Sequence, residues 1–292
     1  MIVGDVVRCE LDDGRPVPGG SAMNVARHAL ALGLDPLLLT RVGDDEAGHR
    51  ALDTLVRLGA DPSGVQIDTE RPTWRGDAVD DTACAWDGLD PDAAAVVIGS
   101  ASPPLAFQTT TAARSDGARS ALRKIRESTG VPFFVDVNLD LPWLRPDDLG
   151  RVLLGARWLR IPSQQLVEMV ATTAEEADEE PEVAAAREVQ RRFALASVVV
   201  DLHGIPVTVV STRGVSLGSR PVDDFGSVHP TIRDAAAAAL VSGLSCGWSE
   251  SVMLRRTVKL VRLLTEATPP EQLDHALDDF DRPVRAEEGD RP

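Results

Sequence analysis

No apolar stretch in the 292 residues approaches the roughly 18 needed to cross a bilayer, and the first residues lack the basic start and hydrophobic core of a secretory signal. A soluble, cytoplasmic chain is therefore expected. Cysteine is scarce: Cys9, Cys84 and Cys246 are odd in number and far apart, without metal-ligand spacing, which favours reduced thiols over a disulfide framework. The histidines His28, His49, His203, His229 and His275 place no pair on one helical face with a carboxylate, so no histidine metal site is expected. No Gly-x-Ser-x-Gly elbow occurs, which argues against acyl transfer by a Ser-His-Asp triad. Positive charge is short as well, with 30 basic side chains against 46 acidic ones and a formal net charge of -16. Such a surface repels nucleic-acid phosphates and anionic lipid, so neither is an expected partner. Only Lys124 and Lys259 are lysines. The acidity suits a salt-adapted protein and an ordinary acidic one alike.

What is present is an alternation of short apolar runs with helical patterns. Leu37 to Leu39, Ala95 to Ile98, Phe133 to Val135, Trp158-Leu159, Val198 to Val200 and Val207 to Val210 read as buried strands. Between them, Ala47, Ala51, Leu55 and Leu58 recur at helical spacing as one apolar stripe that stops at Gly59, a good helix-terminating position. Strand and helix in alternation predict a parallel sheet covered on both faces, with ligands bound beyond the carboxyl ends of the strands. Gly43-Asp44, Gly99-Ser100, Asp136 to Asn138 and Asp201 all emerge at those ends. The acidic run from Glu175 to Glu182 reads as a solvated loop before a helix carrying Arg187 and Arg191.

Gly19-Gly20 allows the backbone to approach a ligand where a Cβ would intrude, and the helix that follows brings Asn24 to the same spot. Gly-Gly-Ser-Ala-Met-Asn-Val-Ala from Gly19, Leu-Gly at Gly33, Val-Gly-Asp-Asp-Glu-Ala-Gly ending at Gly48 and Leu-Gly-Ala at Gly59 follow in the order and spacing of a sugar kinase. The chain resembles the ribokinase-like, or PfkB, family of carbohydrate kinases, over roughly 240 residues. The resemblance implies a three-layer α/β/α sandwich with a mostly parallel central sheet and a reduced β lid. It implies one ribokinase-like domain over 1–270, with lid segments near 5–18 and 72–88, and a short helix and disordered acidic tail over 271–292. Two brief lid strands are expected at Asp77–Val79 and Thr82–Trp86. It also implies ATP and Mg2+ as the cofactors of an active enzyme and a small-molecule sugar or nucleoside as the partner. Relatives often form a homodimer through the lid, and a short lid leaves that pairing open.

Carried over position by position, the family pattern assigns the catalytic base to Asp234, which ends Thr231-Ile232-Arg233-Asp234 before the Ala-rich run at Ala235 to Ala239. Arg233 stands where a glycine-rich anion hole is usual and offers a cation for phosphate. Substrate contacts fall to Gly19, Gly20, Asn24, Asp136 and Asn138, and the nucleotide's surroundings to Asp201, His203, Thr231 and Ile232. No metal ligand is assigned, because Pro162 and Gln165 occupy the positions of an Asn-x-x-Glu magnesium platform. Asp201 replaces the usual Thr of a Thr-x-Gly run, a carboxylate expected to oppose phosphate. Cys9 occupies the position of a sugar-gripping Asp, with Asp5, Asp12 and Asp13 as candidate substitutes. Two readings follow: an ATP-dependent sugar kinase with Asp234 as base, or a catalytically impaired pseudokinase acting as a ligand sensor or protein-interaction module.

Overall fold

The computed structural model describes residues 2–3, 6–10, 16–70, 72–75, 106–109, 133–137, 153, 155–170, 180–202, 205–217 and 230–266. The strands are β1 (Ile2–Val3), β2 (Val7–Glu10), β3 (Pro16–Gly19), β4 (Leu38–Gly43), β5 (Val65–Asp68), β6 (Trp74–Arg75), β7 (Ala106–Thr109), β8 (Phe133–Asp136), β9 (Ala156–Pro162), β10 (Ser197–Leu202), β11 (Ile205–Ser211) and β12 (Gly214–Leu217). The helices are α1 (Ser21–Ala31), α2 (Glu46–Arg57), α3 (Ser163–Val170), α4 (Pro181–Arg192), α5 (Pro230–Ser245) and α6 (Glu250–Glu266).

Period-two alternation within the apolar strands explains how one sheet serves two helical layers. Phe133, Val135, Val198, Val200 and Val210 pack into one buried cluster with Leu166, Val183, Ala186 and Val189 of α3 and α4. Their chain neighbours Phe134, Val199 and Val209 point the other way, against Ala22, Met23 and Ala26 of α1, Leu55 of α2, Ala236 to Ala238 of α5, and Leu254 and Val258 of α6. The sheet runs β12-β11-β10-β9-β8-β7-β1-β4-β5. From β10 to β5 every pairing is parallel. The sheet is mostly parallel, as expected, and the exception lies at one end, where β10, β11 and β12 pair antiparallel. β10 ends at Leu202 and β11 begins at Ile205, a connection too short for the crossover a parallel neighbour requires. The chain leaves β1 towards β4 on one side and returns at β7 on the other, so the switch in strand order falls between β1 and β7.

Other expectations meet the structure residue by residue. The strand runs at Leu38, Phe133, Trp158, Val198 and Val207 lie inside β4, β8, β9, β10 and β11. Leu58 does not continue the stripe of α2: it caps the helix and is 43% exposed, while Ala47, Ala51 and Leu55 are buried. Gly59 follows at φ 82°, the left-handed conformation that ends a helix. The run from Ala95 to Ile98, the brief strands at 77–79 and 82–86, and the tail from 271 lie outside the described residues. Among the described residues no helix is long and apolar enough to cross a membrane.

A second, three-stranded sheet in the order β3-β2-β6 adjoins the first, with β2 antiparallel to β3 and parallel to β6. The chain enters β6 through a hydrogen-bonded latch. Asp45 caps α2 by accepting from the Gly48 amide at 2.8 Å, and it also accepts from the Thr73 amide at 2.8 Å and the Thr73 hydroxyl at 2.7 Å. The Gly43 amide donates to the same hydroxyl at 2.9 Å, and Arg41 spans Asp68 at 2.7 Å and the Pro72 carbonyl at 3.1 Å. Burial works against the charge on Asp45, but the donors from Thr73 and Gly48 outweigh it and hold the carboxyl below its usual range. Gly48 leaves no room for a side chain, since a Cβ there would sit 2.0 Å from the Gly43 carbonyl oxygen.

Two outcomes follow for urea unfolding. Gly48→Ala must displace the β4–α2 turn and is expected to cost about 1–3 kcal/mol, as overpacking typically does. Asp45→Ala loses the helix cap and is expected to cost about 1–2 kcal/mol. Because the folded state depresses the Asp45 pKa, its stabilisation is present at neutral pH and is lost as pH falls through the folded value. The gap between native protein and Asp45→Ala therefore narrows in acid, and a gap independent of pH would contradict the latch.

Candidate functional site

Gly20 joins β3 to α1 at φ 93° and ψ 153°, a conformation essentially confined to glycine, and so aims the first turn of α1 along the carboxyl edge of the sheet. Helices α1 and α5 pack on each other, with small buried residues in one shared cluster, Ala22, Ala26 and Ala29 on one and Ala236 to Ala238 on the other. Small side chains let two helices approach closely, which is what brings short polar groups on them into direct contact. Ser21 and Asn24, three residues apart, share one face of α1. The Ser21 hydroxyl donates to Asp234 Oδ1 at 2.7 Å and the Asn24 amide donates to Oδ2 at 2.9 Å. Asp234 is buried one turn into α5, and burial pushes its carboxyl up from 3.8 to about 6 against the pull of Asn24 and Ser21.

Beneath Asp234 lies a second layer of charge at the carboxyl ends of β8, β9 and β10. Arg160 stands opposite Asp136 in the β8–β9 register, and its side chain has no exposed surface. Its Nε donates to Asp201 Oδ2 at 2.7 Å, and Nη2 reaches the same oxygen at 2.7 Å. Nη1 donates to the Arg233 carbonyl at 2.9 Å and, more weakly, to Asp136 Oδ2 at 3.4 Å. Burial disfavours the Arg160 charge, yet Asp201 and then Asp136 hold its pKa above the ordinary guanidinium value. Burial also lifts the Asp201 carboxyl above its usual range, offset in part by Arg160. Arg233 completes the layer: its Nη2 donates to the Val137 carbonyl at 3.0 Å and lies 3.7 Å from Asp136 Oδ1.

The structure thus brings Gly20, Asn24, Asp136, Asp201, Arg233 and Asp234 to one end of the sheet, with Gly19 buried at the end of β3. One expectation is corrected. Asp201 presents no carboxylate to a nucleotide, because its side chain is fully buried and spent on Arg160. Ile232, placed by sequence near the nucleotide, packs its side chain against the core shared by α5 and α6. Thr231 lies in the first turn of α5, and Asn138 and His203 are outside the described residues. Gln165 is buried on the inner side of α3, and Pro162 brings no side-chain donor, so neither position fits a magnesium ligand. Ser21 and Arg160 are additions that the sequence reading missed. Ser21 could have been found from its i, i+3 spacing to Asn24, and Arg160 from a lone charge inside the apolar run Trp158 to Ile161.

Residues 5–75 match the model of the pfkB family of carbohydrate kinases. None of the curated proteins matches the chain in sequence. Among solved structures, aminoimidazole riboside kinase from Salmonella enterica superposes with a TM-score of 0.70 at 17% identity, covering 96% of this chain and 98% of that one. A fructokinase double mutant from Vibrio cholerae, bound to fructose, ADP and potassium ion, gives 0.68 at 20% identity, with 96% and 97% covered. Ribokinase from Arabidopsis thaliana, complexed with ribose and ATP, gives 0.65 at 15% identity and the same coverage. The chain therefore has the ribokinase-like α/β fold over nearly its whole length and carries the signature of the pfkB carbohydrate kinases in residues 5–75.

Proposed function

We propose that the chain binds a small polyhydroxyl ligand, a sugar or nucleoside, beside Gly20 and Asn24, and transfers a phosphoryl group from ATP to one of its hydroxyls. One observation carries this reading: a buried carboxylate, Asp234, is held by Ser21 and Asn24 directly after the Gly19-Gly20 turn. With a pKa of about 6 it is ionised at neutral pH yet basic enough to take the proton of an attacking hydroxyl. Asn24 then has a second role, since an amide that donates to Asp234 also offers a carbonyl oxygen to a ligand hydroxyl. Solved relatives of the same fold hold ribose with ATP and fructose with ADP, which supports the choice of ligands. The positions that the family pattern gives to a magnesium platform do not fit the ion, so no step is routed through it.

A second reading, a ligand sensor or protein-interaction module without turnover, draws support from Arg233. Its guanidinium is engaged by the Val137 carbonyl and Asp136, and Ile232 is packed into the core, which leaves the start of α5 with little of an anion hole. Calorimetric titration with ATP plus magnesium, at low and at molar potassium chloride, separates the two. Binding at about millimolar or tighter, followed by turnover in a sugar panel, supports the kinase. A sugar that binds without any nucleotide binding supports the sensor.

Under the kinase reading, kcat falls as pH drops below about 6, and Asp234→Asn lowers kcat by about 10²–10⁴-fold with ligand affinity largely kept. A variant with native turnover would remove Asp234 from the role. The same carboxylate has a signature in stability. Since folding raises its pKa, its contribution is greatest where it is protonated, declines as pH climbs from 3.8 to about 6, and is level above that. Asp234→Asn lacks this decline, so between about pH 4 and about pH 7 it gains on the native chain by about 2–3 kcal/mol in urea unfolding. No relative gain would mean that Asp234 titrates normally.

A further inference from the structure

We propose that Arg160 is a positioning residue for Asp234: clamped between Asp201 and Asp136, its guanidinium fixes the peptide that joins Arg233 to Asp234 and so sets both the orientation and the charge of that carboxylate. The geometry comes from four elements. Arg160 projects from β9, its strongest partner is Asp201 on β10, and its Nη1 serves both the weaker partner Asp136 on β8 and the Arg233 carbonyl on α5, the latter at 2.9 Å. A guanidinium is a planar fork, so fixing it at Asp201 through both Nε and Nη2 leaves Nη1 pointing in one direction only. That direction is the first turn of α5. The carbonyl it holds belongs to the residue immediately before Asp234, while Ser21 and Asn24 hold the carboxylate from the other side. Asp234 is thus pinned at its backbone by Arg160 and at its oxygens by α1.

Charge follows from the same arrangement. The groups that act on Asp234 are the neutral Asn24 and Ser21 from α1, Asp136 from β8 and Arg160 from β9, while Asp201 of β10 pairs with Arg160 and Arg233 of its own helix with Asp136. Arg160 stabilises the ionised form of Asp234 and Asp136 opposes it. Without Arg160, burial would act on Asp234 with one fewer counter-charge, and the carboxyl would be more fully protonated at neutral pH. Neither the resemblance to sugar kinases nor the placement of Asp234 predicts this dependence on a residue 74 positions earlier in the chain.

The proposal rests on Asp234 being the base of the site, but its test reads protonation and not turnover, so the two can fail separately. The full chain is labelled with carboxyl-13C aspartate, the Asp234 signal is identified by its absence in Asp234→Asn, and it is titrated from about pH 4 to about pH 9. Arg160→Gln combined with Asp201→Asn removes both charges together while leaving hydrogen-bonding side chains in place. The expected result is a rise in the Asp234 pKa by about half a unit or more, which takes the ionised fraction at about pH 6.5 from about three quarters to about half or less. An unchanged titration in this folded double variant would overturn the proposal, because a merely structural Arg160 would leave Asp234 where it is. Arg160→Lys keeps the charge and loses the fork: it should hold the pKa near its native value while amide exchange in the first turn of α5 quickens. Should the double variant not fold, Arg160→Lys decides, and unaltered exchange there would overturn the positioning role.

Discussion

A guanidinium with no exposed surface has to find its counter-charges inside the protein, and Arg160 finds them on both neighbouring strands. Removing one partner from such a buried pair typically costs about 3–5 kcal/mol, because the other is left charged and unsolvated. The arrangement around it therefore behaves as a unit: Asp201 lies next to the end of β10, Asp136 ends β8, and the start of α5 is tied to both through one side chain. At the sheet's carboxyl edge, where ligands bind in open α/β folds, this cation joins three strands to the start of α5. Two other features build on it. The alanine-lined contact of α1 with α5 only brings Ser21 and Asn24 to Asp234 if α5 starts at a fixed height, and Arg160 fixes that height.

The same cluster carries a charge inventory that bears on what it can bind. Three carboxylates, Asp136, Asp201 and Asp234, face two guanidiniums, Arg160 and Arg233, and both cations have close internal partners. The balance leaves Asp234 as the carboxylate with only neutral donors on its oxygens. On the proposed function, a neutral ligand rich in hydroxyls suits Asp234 better than one carrying its own phosphate, whose charge would meet a carboxylate.

The scaffold was legible in the sequence to the extent that its signals are local. Runs such as Phe133 to Val135 and Val198 to Val200 announce strands by their own composition, and Gly19-Gly20 with Asn24 announces a turn into a helix. Where pairing is decided by distant residues, local reading fails. The antiparallel end of the sheet turns on how few residues separate β10 from β11, a matter of connection length and not of residue type. Leu58 fits the apolar spacing of α2 but follows the point where the helix stops and the surface begins. Asp201 looked like a charge facing phosphate because its partner lies 41 residues earlier, in an apolar run where an arginine is unexpected. Asp234 could be placed by pattern alone, whereas its depth of burial, and hence its basicity, depends on how closely two alanine-rich helices approach.

The latch between Asp45 and Thr73 ties two regions that a drawing of the fold would separate. One carboxylate both starts α2 and holds the residue from which the chain enters β6, so fraying the helix and loosening the small sheet draw on the same three hydrogen bonds. The small sheet and the start of α2 are therefore coupled, and opening one disturbs the other. Loosening the small sheet then means melting a helical turn on the main body, so the two share one unfolding step.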